Sequence, residues 1–352
     1  MSKFFSSKYK NLTPYTPGEQ PKEREYIKLN TNESPFPPSP LAIKMANQES
    51  EKVYLYSDPN STVLTNTVAE YYGVKPEQVI MTNGSDEVLN FAFMAYCDSQ
   101  NKAVFADITY GFYKVFADIN NVPYKEIPLK DDFSLDIDAF IKEDGTLFIA
   151  NPNAPTGICL SLLEIEKIVS SNTQRIVVID EAYIDFGGQS AVKLVDKYDN
   201  LLVTQTFSKS RSMAGARLGF GIANAKLISD LVNIKYSLNP YNVNRMTSGA
   251  GIGAIKDDKY FKDNINKIIQ NREYTVCELK KLGFTVIDSK ANFVFAKSDK
   301  ISGKDLYLKL KEMGILVRHF EKPRIKDFNR ITIGDKNQMV SLINQIKNII
   351  GE

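Results

Sequence analysis

Short apolar runs alternate with stretches of helical periodicity between about residue 50 and residue 245. Seven of these runs predict β-strands, and several are apolar throughout, as expected for strands covered on both faces. The runs lie at residues 79–82, 103–106, 123–126, 147–150, 176–180, 201–206 and 218–223. Ser161 and Glu164 have capping-box spacing ahead of an amphipathic pattern, which predicts a helix at residues 161–171. This alternation predicts an α/β fold with an open, mostly parallel sheet.

The pattern changes after a predicted long helix at residues 257–282. Strand-like runs at 284–287, 292–296, 315–318 and 330–333, with a helix at 303–313, predict a smaller α+β domain. At the other end, residues 1–40 are polar and contain seven prolines, a density that resists helix and central strand. We therefore predict an N-terminal arm at 1–40, a large α/β domain at 41–250 and a small C-terminal domain at 251–352.

Charge and composition exclude several classes of function. The chain has 44 basic and 42 acidic residues, and this balance gives no electrostatic footprint for nucleic acid or an anionic membrane. No apolar run approaches the ~18–20 residues that span a bilayer, and the start lacks the apolar run of a signal peptide. We therefore expect a cytoplasmic protein. Three scattered cysteines and one histidine, His319, predict neither a disulfide framework nor a metal site.

A lysine flanked by small hydroxylated residues follows one of the apolar strands. Lys209 comes directly after Ser208 and close after Thr206, and Arg217 lies eight residues further on. A lysine amine can form a Schiff base with a carbonyl compound, and an arginine can clamp a phosphate through two hydrogen bonds. The two hydroxyls can donate to the same anion. This combination predicts a site for a phosphorylated carbonyl compound in preference to a loop of solvated charges.

Three other motifs follow predicted strands, at the edge of the sheet where ligands bind. Gly84 forms a turn before a helix start, where free N–H groups attract anions. Asp180 ends a buried strand, and a buried acid needs a partner such as a protonated ring nitrogen. Asn153 lies in a turn that two prolines and a glycine make rigid. Each motif alone also fits an ordinary role: a capped helix, an ion-paired acid or a turn without a ligand.

Taken together, these segments resemble the fold-type-I aminotransferases that depend on pyridoxal 5′-phosphate. The resemblance covers nearly the whole chain, and within the family it is strongest to the histidinol-phosphate aminotransferases. It implies a mostly parallel seven-stranded sheet with helices on both faces. The segments that carry it are residues 29–35 (LNTNESP), 56–59 (YSDP), 84–87 (GSDE), 180–183 (DEAY), 208–209 (SK), 240–244 (PYNVN) and 330–334 (RITIG).

The resemblance also implies how the cofactor is held. Lys209 would carry it and move the proton, Asp180 would pair with the ring nitrogen, and Tyr183 would bond the ring oxygen. Tyr110 would stack on the ring. The residues expected around its phosphate are Gly84, Ser85, Asp86, Thr206, Ser208 and Arg217, with Tyr56 reaching in from the neighbouring subunit of a homodimer.

One position departs from the family pattern. The family has an asparagine directly before Pro-Thr-Gly, and this chain has Ala154 there. Either Asn153 or a water takes over the bond to the ring oxygen, or Tyr183 makes it alone. A lost neutral hydrogen bond costs only about 0.5–1.5 kcal/mol, so the function can survive the change.

For the substrate, the resemblance implies that Arg330 and Arg318 bind its acidic group and that Tyr15 and Asn32 line its pocket. The expected reaction is transamination between histidinol phosphate and 2-oxoglutarate, giving imidazole-acetol phosphate and glutamate in histidine biosynthesis. Alternatives within the same fold are a threonine-phosphate decarboxylase and an aromatic or broad-specificity aminotransferase. An alternative from another class is a non-catalytic cofactor-binding regulatory module, which is disfavoured because no helix-turn-helix-like segment precedes residue 40.

Overall fold

A computed structural model describes residues 2–10 and 12–351. Met1 and Asn11 of the predicted arm, and Glu352 of the predicted small domain, lie outside the described residues. The strands are β1 Ile27–Lys28, β2 Val79–Thr82, β3 Ala103–Ala106, β4 Tyr124–Ile127, β5 Thr146–Ala150, β6 Val177–Asp180, β7 Leu201–Thr206, β8 Gly219–Ala223, β9 Phe284–Ile287, β10 Phe293–Ser298, β11 Ile315–Leu316, β12 Arg318–His319 and β13 Phe328–Thr332. The α-helices are α1 Pro40–Ser50, α2 Thr62–Tyr72, α3 Ser85–Tyr96, α4 Phe112–Asn120, α5 Ile137–Ile141, α6 Leu162–Ser170, α7 Ala225–Leu238, α8 Arg245–Lys256, α9 Asp258–Lys281, α10 Gly303–Glu312 and α11 Lys336–Ile350.

Seven strands form the main sheet, in the order β2-β8-β7-β6-β5-β3-β4. The pairs β7–β6, β6–β5, β5–β3 and β3–β4 are parallel, whereas β8 runs antiparallel to both of its neighbours. The predicted α/β fold with a mostly parallel seven-stranded sheet is confirmed. All seven predicted strands of this region are present, with ends that shift by one residue at most.

The two faces of the sheet pack into two separate apolar clusters. Along β5, Leu147 and Ile149 belong to one cluster, and Phe148 between them belongs to the other. Helices α2, α6 and α8 contribute to the first cluster, and α3, α4 and α7 to the second. Burying each such side chain contributes about 1.5–3 kcal/mol, so continuous apolar runs are stable only where helices cover both faces.

The smaller sheet has the order β12-β13-β10-β9 and is antiparallel throughout. Its apolar cluster includes residues of α9, α10 and α11. The predicted single strand at 315–318 is two strands in the structure. Residues 315–316 pair in parallel with β1, and residues 318–319 pair with β13. The partner β1 lies almost 290 residues earlier in the predicted arm and is two residues long, so local periodicity could not reveal it.

The predicted motifs gather at one edge of the main sheet. Asp180 is the last residue of β6, and Lys209 lies three residues beyond the end of β7. Gly84 follows β2 and precedes α3. Because β2, β6 and β7 share one direction, their carboxyl ends bring these residues together. Among the described residues, no helix is long and apolar enough to cross a membrane. The domain boundaries near residues 40 and 250 stay a prediction.

Candidate active site

Lys209 lies between two cavities. Its Nζ donates a hydrogen bond to Thr31 O at 3.3 Å and lies 5.8 Å from the ring centre of Tyr183. The next residue, Ser210, donates to Asp185 Oδ2 at 2.5 Å, which fixes the backbone on the far side of the lysine. The loop that carries Lys209 is therefore tied both to the N-terminal segment and to the segment after β6.

The first cavity has a volume of about 400 Å³, within the range of small-molecule sites. It unites groups that the sequence distributes over more than 130 residues. The predicted residues that line it are Ser85, Asp86, Tyr110, Asp180, Tyr183, Thr206, Ser208, Lys209 and Arg217.

Asp180 is the buried acid of this cavity. Its Oδ2 accepts a hydrogen bond from Tyr113 at 2.9 Å, and Tyr113 is itself fully buried. Its Oδ1 is buried and has no hydrogen-bond partner within the described chain. Burial raises the pKa of Asp180 to about 7, although the Tyr113 hydrogen bond opposes the rise. An unpartnered carboxylate oxygen in a cavity wall is suited to a ligand that carries a proton.

An anion cradle, formed by residues 84–86 with Thr206, Ser208 and Arg217, lies in the same cavity. Gly84 is the N-cap of α3 and has a φ of +80°. Glycine is favoured at this position because other residues rarely adopt a positive φ, and the free N–H groups of the helix follow directly after it. An added Cβ there would lie 2.8 Å from Arg217 Nη2, so the guanidinium also needs the space that glycine leaves. Arg217 contacts Asp86 at 3.1 Å and Ser208 at 3.5 Å.

The second cavity, of about 500 Å³, adjoins the first. Lys209, Tyr183 and Tyr110 line both cavities. All four residues predicted for the substrate line the second one: Tyr15, Asn32, Arg318 and Arg330. The structure thus brings the predicted substrate residues to a cavity that shares Lys209 with the one that holds the anion cradle.

The two arginines differ in how they are held. Arg330 is half-buried and donates to Asn30 O at 2.9 Å, and its buried Nε has no partner among the described residues. Burial lowers the pKa of Arg330 from its usual value, but a guanidinium stays charged in proteins. Arg318 donates to Thr16 O and Pro17 O at 3.2 and 3.3 Å. Arg330 therefore has an unused donor, and Arg318 ties the N-terminal arm to the cavity.

Tyr183 is oriented by Asn32. The Nδ2 atom of Asn32 donates to the Tyr183 hydroxyl at 2.9 Å, which leaves the phenolic proton free to be donated elsewhere. Thr332 in turn donates to Asn32 Oδ1 at 2.9 Å. Hydrogen bonds thus link Thr332 of the small sheet through Asn32 of the arm to Tyr183, which lines both cavities.

Three predicted residues are not among those that line these cavities, although one of them, Gly84, directly precedes the lining residue Ser85. Asn153 accepts from Thr109 at 2.7 Å and donates to Ile108 O and Thr156, so its amide ties the turn to the segment after β3 and has no free group for a ligand. Tyr56 is 79% exposed and stacks on Tyr241, with ring centres 4.6 Å apart. Within one chain it lies outside the site.

Sequence reasoning missed Thr31 and Glu33, which line the first cavity, and Tyr113, the hydrogen-bond partner of Asp180. Tyr113 lies three residues after Tyr110, the residue expected to stack on the cofactor ring, and so close in sequence to the predicted site. That spacing was the available signal. It could not be distinguished from a core pattern before the fold placed α4 beside the end of β6.

The donor set fits a flat ring that carries a dianion on one side and a protonated nitrogen on the other. The anion cradle offers an arginine, hydroxyls and a helix N-terminus, and Asp180 Oδ1 offers an unpartnered acceptor. An amine, Lys209, lies in the same cavity. Over residues 2–10 and 12–351, no group of three or more His, Cys, Asp or Glu is placed to hold a metal ion.

Comparisons with known proteins agree with this chemistry. The model of the family "Aminotransferase class I and II" matches residues 24–346. A histidinol-phosphate aminotransferase of Brachyspira hyodysenteriae is 52% identical, over 99% of each chain. One of Clostridium acetobutylicum is 49% identical, over 99% of this chain and 100% of its own.

Solved structures show the same fold. The crystal structure of a histidinol-phosphate aminotransferase from Clostridium acetobutylicum superposes with a TM-score of 0.86 at 24% identity, over 92% of this chain and 99% of that one. One from Sinorhizobium meliloti, in complex with pyridoxal-5′-phosphate, gives a TM-score of 0.85 at 21% identity, over 93% and 92%.

Proposed function

The chain belongs to the family of class I and II aminotransferases, and we propose that it transfers the amino group of histidinol phosphate to 2-oxoglutarate in histidine biosynthesis. Enzymes of this family act on an amine and a keto acid and depend on pyridoxal 5′-phosphate. The observation that carries the proposal is that Lys209 lines two adjoining cavities, one with an anion cradle and a buried acid, the other with two arginines. The full-length similarity to named relatives supports the choice of substrate.

The first cavity would hold the cofactor. Its phosphate fits the anion cradle, Asp180 Oδ1 fits the protonated ring nitrogen, and the Tyr183 hydroxyl can donate to the ring oxygen. Tyr110 would lie against the ring, held through its hydrogen bond to Asp86 at 2.7 Å. When bound, pyridoxal phosphate supplies an electron-withdrawing ring and a carbonyl carbon that takes up and returns the amino group.

The chain's own groups then divide the work. Lys209 Nζ holds the cofactor in the resting state and afterwards moves the proton that leaves the substrate Cα. Asp180 keeps the ring nitrogen protonated, because a buried carboxylate next to a cation stabilises the charge. Tyr183, oriented by Asn32, contributes a fixed donor that costs no reorganisation during the reaction.

Both substrates would place their acidic group in the second cavity. Arg330 offers an unused Nε donor, and Arg318 can exchange its bonds to main-chain carbonyls for bonds to an anion. A guanidinium fork fits a carboxylate and also a phosphate, so one pocket can accept histidinol phosphate and 2-oxoglutarate in turn. Tyr15, which stacks on Phe112 at 4.3 Å, forms the wall of this pocket from the arm.

We also propose a homodimer in which Tyr56 enters the partner's site. An exposed apolar surface supports it: Val53, Tyr54, Leu55 and Tyr56 are all exposed, next to the half-exposed ring of Tyr241. Sedimentation should give twice the monomer mass, and Tyr56→Phe should weaken cofactor binding, because the partner's hydroxyl no longer reaches the phosphate. A monomer in solution would contradict the proposal. A cytoplasmic location stays a prediction of the sequence.

The test is an assay of the purified protein loaded with pyridoxal phosphate. Histidinol phosphate and 2-oxoglutarate are supplied together and singly, and glutamate is measured. Threonine phosphate, with release of carbon dioxide as the readout, and aromatic amino acids as amine donors test the related activities. We expect glutamate only when both substrates are present, at a higher kcat/KM than with any aromatic donor.

Two outcomes would contradict the proposal. Carbon dioxide release from threonine phosphate without glutamate formation would indicate a decarboxylase. A cofactor that binds but is not converted to its amine form by histidinol phosphate would indicate a module that does not turn over.

A further inference from the structure

We propose that Tyr113 is a positioning residue that acts through Asp180. Its hydroxyl occupies one oxygen of that carboxylate and so reserves the other oxygen for the ring nitrogen of the cofactor. The inference deepens the proposed function and rests on it, because it concerns how this chain recognises the cofactor ring.

The hydrogen bond is built into the core. The Tyr113 ring is fully buried on α4, edge-on to Tyr110 at 5.6 Å and close to Phe105 and Phe148 at 5.7 and 6.0 Å. Its hydroxyl donates to Asp180 Oδ2 at 2.9 Å. A ring enclosed by three aromatic neighbours has no freedom to withdraw its hydroxyl, so the bond is fixed before any ligand arrives.

The bond leaves the carboxylate with two unequal oxygens. Oδ2 is taken by Tyr113, whereas Oδ1 is buried and without a partner in the described part of the chain. A buried acceptor without a partner is unfavourable, and a ring N–H that reached Oδ1 would satisfy it. Tyr113 therefore sets which oxygen is available, and the ring nitrogen can approach along one direction only.

Several other groups face Asp180. Asp86 on α3 raises its pKa, whereas Lys209 and the backbone N–H of Ala182 lower it, as the hydroxyl of Tyr113 does. Among the side chains, the donor from Tyr113 is the largest influence that favours the ionised acid. Without this donor, Asp180 would take up a proton at a higher pH and would pair less well with a protonated ring.

The experiment measures binding of pyridoxal phosphate to the full-length apo-protein. Tyr113→Phe removes only the hydroxyl and should raise the dissociation constant about ten-fold, the lower end expected for a hydrogen bond to a charged group. The pH at which binding falls to half should move up by about one unit, since ten-fold corresponds to one pKa unit. Unfolding curves of the apo-proteins verify that the variants are folded.

A matched control is Tyr96→Phe. Tyr96 also donates a hydrogen bond from a partly buried site, to Leu227 O at 2.9 Å, but it lies at the opposite end of α3 from the anion cradle. Its dissociation constant and pH midpoint should stay within about two-fold and 0.2 units of the wild type, well below the ten-fold effect. An equal effect from both variants would show that any lost tyrosine hydroxyl weakens binding, which overturns the inference.

A double-mutant cycle with Asp180→Asn separates positioning from packing. If Tyr113 acts through the charged acid, Tyr113→Phe should change the dissociation constant by less than about two-fold in the Asp180→Asn background. The same ten-fold loss in both backgrounds would overturn the inference. Should Tyr113→Phe not fold, 3,5-difluorotyrosine at position 113 keeps the shape and is a stronger donor. It should lower the pH midpoint, and an unchanged midpoint would count against Tyr113.

The outcomes distinguish the two proposals. A wild-type protein that does not bind pyridoxal phosphate refutes the proposed function and this inference with it. A wild type that binds normally, with a Tyr113→Phe variant equal to it in affinity and pH midpoint, refutes only the role of Tyr113.

Discussion

Replacing Gly219 with alanine should displace the anion cradle, although residue 219 touches no ligand. Gly219 is the first residue of β8 and pairs with Thr82 on one side and Thr206 on the other. It therefore lies directly beneath the turn that enters α3. A Cβ added there would overlap the Ser85 nitrogen and the carbonyl carbon of Gly84, and would lie 2.9 Å from Gly84 O.

The loss of stability and of cofactor affinity in Gly219→Ala can be estimated from the atoms that the new Cβ would overlap. Real Cβ atoms essentially never approach other heavy atoms within 3.0 Å, and here the obstacles are backbone atoms that cannot rotate aside. The start of α3 must retreat by roughly 1 Å to restore van der Waals distance. Overpacking of this kind costs about 1–3 kcal/mol of stability. A 1 Å retreat also breaks one or two charge-assisted bonds to the phosphate, which weakens cofactor binding by roughly 10- to 100-fold.

The assay is equilibrium binding of pyridoxal phosphate to the apo-protein, with urea unfolding of the same samples. Gly221→Ala is the control, because Gly221 lies two residues further along β8. The three atoms nearest to an added Cβ there belong to side chains, those of Val88, Ile80 and Leu202 at 3.0, 3.2 and 3.4 Å. We expect Gly221→Ala to lose some stability and to keep its affinity for the cofactor.

The reasoning is refuted if Gly219→Ala binds pyridoxal phosphate as tightly as the wild type. It is also refuted if both variants lose affinity equally, because the loss would then come from strain in β8 and not from the position of the cradle.

Three further predictions concern single side chains. Lys209→Ala should abolish glutamate formation, since no amine remains to hold the cofactor or move the proton; substantial turnover would exclude that role. Arg330→Ala should mainly raise the apparent KM for both substrates in steady-state kinetics, because they share one anion anchor; a rise for one substrate alone would contradict this. Burial raises the pKa of Glu181 to about 7, so in apo-protein the folded chain keeps this proton between about pH 4.5 and 7 while the unfolded chain releases it. The contribution of Glu181 to the free energy of unfolding should therefore fall with rising pH in this window by up to about 1.4 kcal/mol per unit, and Glu181→Gln should remove it; a difference between wild type and Glu181→Gln that stays the same in urea unfolding at pH 5, 6 and 7 would refute this.

The large sheet was predictable because its strands are continuous apolar runs separated by helical patterns. Local periodicity carries that information, and the strand ends were accurate to one residue. The pairing of Ile27 with Ile315 was not predictable, because it depends on tertiary contacts between two short segments almost 290 residues apart. The reversed direction of β8 likewise depends on the connection after the Lys209 loop, which no local pattern encodes.

The chemistry-bearing residues were easier to predict than their supports. Lys209, Asp180 and Arg217 follow strands, and residues at strand ends converge in a parallel sheet whatever the details of packing. Tyr113 and Thr31 contribute through a hydroxyl and a backbone carbonyl, whose direction is set only by the finished fold. The sequence therefore predicts the residues that do the chemistry, whereas the groups that orient them are identified only from the three-dimensional structure.

Ala154, the position that departs from the family pattern, is a further example of a supporting position whose surroundings only the structure reveals. Ala154 packs against Ala291, Phe293 and the ring of Tyr183, and it also lines both cavities. The Tyr183 hydroxyl already accepts a hydrogen bond from Asn32, 151 positions earlier in the chain. Asn32 of the arm therefore orients the Tyr183 hydroxyl without help from residue 154. Because the Tyr183 hydroxyl accepts this hydrogen bond, its own proton remains available for the cofactor, and Tyr183 can make the ring-oxygen contact alone.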